Sequence, residues 1–247
     1  MDCDFDPSAS EFRVVLVGSV NSLNFESAIR LFTVFLAAVK FGMFANLSTG
    51  SVEEGVDKLK DSIDHQPNRS VEYLLRGIEV SSLRVLLNLL SQASGGSGES
   101  FAVSVHSPEE DGRRRRYHWQ DLTQLPFQPW PVQTPFELLC TWPDDISFSP
   151  VIRMCFVRPL TENEIKIVEE ATRVWTAIVK NGGYKEGPPF AEETFLQDIE
   201  TYLVSPDTWE ITLYGFRAHE VSFSSLIRFA FRFHGERCPL SYLEIQP

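Results

Sequence analysis

Two stretches of this chain open on apolar runs and then change period. EFRVVLVGS (11–19) passes through a Gly/Ser/Asn turn into a helical pattern over about 23–41, ending near Gly42. VIRMCFVRPL (151–160) gives way to a helix over 162–180, ending near Gly182. There Ile165, Val168, Ala171, Trp175 and Ile178 recur at three- and four-residue steps, with Glu162, Glu169, Glu170, Arg173 and Lys180 elsewhere. Thr161, with Glu164 three residues on, predicts a capping box at its start. The helix over 23–41 is apolar on nearly every side, Arg30, Thr33 and Lys40 excepted, which predicts that it is the more buried of the two.

The resemblance between the halves continues. SVEEGVDKLKDSIDHQP (51–67) aligns without a gap on FAEETFLQDIETYLVSP (190–206), pairing Pro67 with Pro206. YLLRG (73–77) meets ITLYG (211–215). SSLRVLLNLL (81–90) meets SSLIRFAFRF (224–233) after an insertion of five residues around RAHEV (217–221), and FAVSV (101–105) meets LSYLEI (240–245). LIRFAFRFH (226–234) alternates like a strand. Leu226, Phe229, Ala230 and Phe233 nonetheless share one helical face, and the match to LRVLLNLL favours a helix.

Each copy therefore reads as strand, long helix, an irregular stretch with a short helix, strand, helix, strand. This resembles the ferredoxin-like arrangement, a mostly antiparallel sheet with helices on one face. The expected fold is α+β: two tandem ferredoxin-like repeats of β-α-β-α-β type, 1–107 and 151–247, forming a pseudo-symmetric pair. Residues 108–150 join them as a Pro- and Trp-rich connector packed on the repeats, with FELLC (136–140) as a strand.

The formal charge of −12 is spread along the chain, as −5 over 1–107, −3 over 108–150 and −4 over 151–247. Its field repels nucleic acid and anionic membranes, so neither is an expected partner, and a basic or neutral protein is favoured. RRRR (113–116) directly follows Glu109, Glu110 and Asp111 and reads as a solvated loop tip. MDCDFDPSAS lacks the basic and apolar regions of a signal peptide. LFTVFLAAVKFGMFA (31–45) is short for a membrane span and is broken by Lys40. Four dispersed cysteines suit reduced thiols, and the expected location is cytoplasmic.

The turn over 18–27 invites comparison with a phosphate loop, but it has one glycine, Gly18, and no lysine. The matching corner RPLTENE (158–164) has two glutamates instead. Asn21, Ser22 and Asn24 read better as turn and cap residues. No catalytic motif, metal-ligand spacing or cofactor signature stands out. The expectation is a non-enzymatic interaction protein: a regulator, an adaptor, or an inhibitor or immunity-type protein. The alternative is a small-molecule-binding protein or enzyme with its site between the repeats. The residues that would serve either are His118, Trp119, Trp130 and Trp142, with His219 and Glu220 in the insertion.

Overall fold

A computed structural model describes residues 11–45, 47, 55–64, 68–94, 101–106, 116–117, 125–127, 131, 133–140, 149–185 and 195–246. Among these the chain is mixed α+β, with four helices and two five-stranded sheets. It divides into two compact units, the main division falling between Gln128 and Pro129, inside the expected connector.

The first unit runs β1 (Glu11–Ser19), α1 (Leu23–Lys40), β2 (Gly55–Asp64), β3 (Asn68–Arg76), α2 (Ser82–Ala93), β4 (Phe101–His106) and the short β5 (Arg116–Tyr117). Its strands lie in the order β2-β3-β1-β4-β5, all antiparallel. Phe12, Val14 and Leu16 are fully buried on one side of β1, as period-two alternation demands. The ring of Phe32 in α1 meets Tyr73 of β3 edge-on at 5.3 Å, so the helices cover that side.

The second unit runs β6 (Glu137–Cys140), β7 (Val151–Phe156), α3 (Glu162–Lys180), β8 (Asp198–Ser205), β9 (Thr208–Tyr214), α4 (Ser222–Glu236) and β10 (Leu240–Gln246). Its strand order is β6-β10-β7-β9-β8, with β6 parallel to β10 and the other pairs antiparallel. Ile152, Met154 and Phe156 point to the helical side, where Phe156 meets Phe233 of α4 at 5.6 Å. Segment 226–234 is helix, and 137–140 is strand, as the sequence suggests.

Several expectations need correction. The stretches expected to be irregular with a short helix contain strands, β2 and β8, each closing a hairpin onto β3 or β9. Both are sheet edges with little apolar cover, so their sequences lack the alternation that marks a half-buried strand. The five-residue insertion is also revised. The backbone N–H of Glu79 donates to Phe44 O and that of His219 to Tyr184 O, partners 140 residues apart in both cases. The helix starts Ser82 and Ser222 keep that spacing while Gly77 and Gly215 lie 138 apart, so the second unit holds two more residues between this glycine and its helix. Gly77 and Gly215 both have positive φ, 71° and 63°. Arg116, expected in a loop tip, pairs with His106 in β5; 113–115 lie outside the described residues. Finally, α1 is no more buried than α3, because Thr172 and Thr176 turn inward in α3 and donate to Val168 O and Thr172 O.

The start of α3 carries the expected capping box. Glu164 N–H donates to Thr161 Oγ1 (3.3 Å) and Thr161 N–H to Glu164 Oε2 (2.8 Å), while Arg158 grips the same carboxylate through both terminal nitrogens at 2.7 and 3.0 Å. Arg158 holds the Glu164 carboxyl down at about 2, from an ordinary 4.5. A carboxyl depressed on folding adds stability that is complete above its ordinary value and is lost as pH falls toward the depressed one. Glu164→Gln is therefore expected to cost about 1 kcal/mol at neutral pH. That difference should fade between pH 4.5 and 2 in urea melts taken across this range.

Candidate functional site: an acidic sheet face

The corner after β1 is architecture. Ser22 Oγ accepts from Phe25 N–H at 3.3 Å and Ser19 Oγ from Asn21 N–H at 3.3 Å, which caps α1 and tightens the turn. Asn24 Nδ2 donates to Ser94 O at 3.4 Å. Gly18 is required by packing: a Cβ there would sit 2.4 Å from Cδ2 of Phe25 and 2.9 Å from Cβ of Phe101. Gly18→Ala is expected to destabilise by about 1–2 kcal/mol through overcrowding, measured by denaturant midpoint.

Chemistry concentrates on the side of the second sheet that faces away from its helices. Alternation puts Arg153 and Cys155 of β7 there, with Glu210, Thr212 and Tyr214 of β9, Asp198, Glu200 and Tyr202 of β8, Glu244 and Tyr242 of β10, and Glu137 of β6. At the centre Glu210 is only 6% exposed. Arg153 Nε donates to Glu210 Oε2 at 2.6 Å, and the Tyr202 hydroxyl donates to Oε1 in a short hydrogen bond. Arg153 also reaches Glu244 Oε2 at 3.5 Å and Gln246 Oε1 at 3.4 Å. Tyr214 donates to Glu200 Oε2 at 3.1 Å. The result is a polar ladder across four strands.

Burial alone would raise the Glu210 carboxyl. The Tyr202 hydroxyl and the Arg153 guanidinium together outweigh it and hold the group below its ordinary value. The three tyrosines shift the other way. Tyr202 is raised by its bond to Glu210, Tyr214 by its bond to Glu200 and Tyr242 by its bond to Cys155. Glu210 is thus held in its charged form, and the three phenols in their protonated form. Five carboxylates face one guanidinium, and Asp198, Glu200, Tyr202 and Glu137 are exposed. Such a surface can take an ammonium or guanidinium by ion pairing and by contact with aromatic faces.

The first sheet supplies an internal contrast. It too has an arginine of its first strand on a buried glutamate of its third, Arg13 on Glu72. Around that pair, however, Arg76 joins Asp57 (2.7 Å) and Glu11 (3.9 Å), and Lys60 stands opposite Glu72. Among the described side chains this face is charge-balanced and bears no tyrosine.

Of the residues singled out from the sequence, His118, Trp119, Trp130 and Trp142 lie outside the described residues. His219 serves the turn into α4, its Nδ1 accepting from Val221 N–H at 3.1 Å. The Cys140 thiol is pushed up by burial, and the neighbouring charge of Glu220 adds to this. Sequence reasoning missed Arg153, Tyr202 and Glu210. DIETYLVS and TWEITLY carry the signal only when both are read as strands, which brings their acidic and tyrosine positions onto one face. Among the described residues no group of three or more His, Cys, Asp or Glu could hold a metal ion. No described helix is long and apolar enough to cross a membrane.

No protein-family model and no curated protein matches this chain. Among solved structures it is similar to the periplasmic protease PqqL from Escherichia coli, at 8% identity and a TM-score of 0.21. The match covers 90% of this chain and 34% of that one. So slight a likeness bears on neither fold nor activity, and the chain spans about a third of that protease's length.

Proposed function

We propose that this is a non-enzymatic binding protein, built from two copies of one ferredoxin-like unit joined through 108–150, whose second copy engages a basic protein. The duplication is supported by the equivalent strand orders, the matched glycines and the shared 140-residue spacing of the turns before α2 and α4. The function rests on one observation: the two sheets carry the same central Arg–Glu pair, but among the described side chains only the second is surrounded by uncompensated carboxylates and tyrosines. A face that needs only to be solvated has no use for that asymmetry, whereas a receptor for cationic side chains does.

The test is affinity capture from the native host on immobilised wild-type chain and on Glu137→Lys/Glu200→Lys, two exposed positions at opposite edges of the face. A basic protein retained by the first and lost from the second is expected. The same retained set on both would reject the reading.

A further inference from the structure

The edge of the second sheet next to this face differs from the corresponding edge of the first in a way that specifies how a partner docks. Among the described residues β2 and β8 each end a sheet and each bond to a neighbour on one side only. β2 is guarded. Lys58, Lys60, Asp57 and Asp61 line it, Arg69 and Lys58 clamp Asp61 at 2.8 and 2.7 Å, and its register shifts in mid-strand between Lys58 and Lys60. Lysines and bulges are the devices that keep foreign strands off an edge. β8 lacks the first among its residues, and its register shift comes only near its end, between Leu203 and Ser205. Tyr202, Leu203 and Val204 stand exposed in succession at 44%, 37% and 53%.

We propose that the partner binds by adding an extended strand to β8, becoming the sixth strand of the second sheet, and that this strand alternates cationic with apolar side chains. This rests on the reading of the acidic face above. Asp198, Glu200 and Tyr202 point to that face, so every second residue of an added strand lies beside carboxylates and phenols and is best basic. The intervening residues lie beside Ile199 and Leu203, on the helical side, and are best apolar. Main-chain hydrogen bonds supply affinity and the alternation supplies selectivity. A second copy of β8 is the wrong occupant, because it would bring two acidic faces together.

The probe is a synthetic peptide of alternating lysine and valine, compared with the same peptide N-methylated at every second residue so that one edge cannot pair. Binding to the full chain is followed by fluorescence anisotropy and by amide hydrogen exchange at residues 199–203. The expected result is binding of the unmodified peptide, a loss of at least about tenfold on methylation, and slowed exchange across β8. Equal binding of both peptides with β8 exchange unchanged overturns strand addition and leaves the acidic-face reading standing. Binding of neither peptide overturns it as well. So does protection of β8 without peptide together with concentration-dependent sedimentation, since a second copy would then hold the edge. If Glu137→Lys, remote from β8, leaves peptide binding unchanged while methylation abolishes it, strand addition survives and the wider face reading fails.

Discussion

Replacing Trp175 by alanine is expected to destabilise the second unit by about 3–5 kcal/mol, the largest effect of any single substitution considered. Trp175 is fully buried in α3, its ring 5.8 Å from that of Phe223, and its Nε1 donates to Ser222 O at 2.9 Å. It therefore fastens α3 to the first turn of α4, and truncation opens a cavity and removes one hydrogen bond from a carbonyl that keeps the Ser225 hydroxyl at 2.8 Å. Trp175→Phe separates the two causes. It keeps most of the packing and loses only the indole hydrogen bond, so about 0.5–1.5 kcal/mol is expected. Chemical denaturation followed by near-ultraviolet circular dichroism measures both.

The second large effect falls on the ladder itself. Arg153→Ala should cost about 2–3 kcal/mol, because it leaves the Glu210 carboxylate buried with the Tyr202 hydroxyl as its remaining ladder partner. Arg153 is itself about a third exposed, which keeps the figure below that of a fully buried pair. The sign of the pH dependence follows. With the guanidinium gone, the Glu210 carboxyl loses one of the bonds that hold it down and rises, so the variant should recover part of the deficit as pH falls and the group protonates. Arg153→Ala combined with Glu210→Gln should be more stable at neutral pH than Arg153→Ala alone, since the uncompensated charge is removed. Thermal melts at two pH values check both statements.

What the sequence made legible follows physical lines. α3 was readable to its ends because an amphipathic stripe, a capping box and a closing Lys180 agree with one another. The glycines at 77 and 215 marked equivalent turns, since positive φ leaves little choice of residue. Gly215 is constrained further by the Gln197 side chain, 2.5 Å from where a Cβ would lie. The edges were not readable. β2 and β8 bury too little for apolar alternation to develop, so a polar sequence concealed a strand. Missing β8 also concealed the candidate site, because Asp198, Glu200 and Tyr202 share a face only in an extended chain. The helix alignment slipped by three residues because Ser-Ser recurs within α4. There the buried positions 223, 226, 227, 230 and 233 match 83, 86, 87, 90 and 93 at a constant 140.

The same edge strands carry the contrast on which the proposed function rests. In the first unit the exposed edge is covered with alternating charge and pinned by ion pairs, devices that keep other chains off an edge. In the second unit the edge strand is acidic and apolar, and the face beside it presents three tyrosines. On the proposed reading one unit maintains the fold and the other is turned outward for recognition.

The most direct measurement is the dissociation constant of the captured partner for three forms of the whole chain: wild type, Glu137→Lys/Glu200→Lys on the second sheet and Lys60→Glu on the first. The account predicts that the double reversal weakens binding about 10- to 100-fold and flattens its salt dependence, while Lys60→Glu leaves both unchanged. Undiminished binding by the double reversal, or a loss confined to Lys60→Glu, would contradict it.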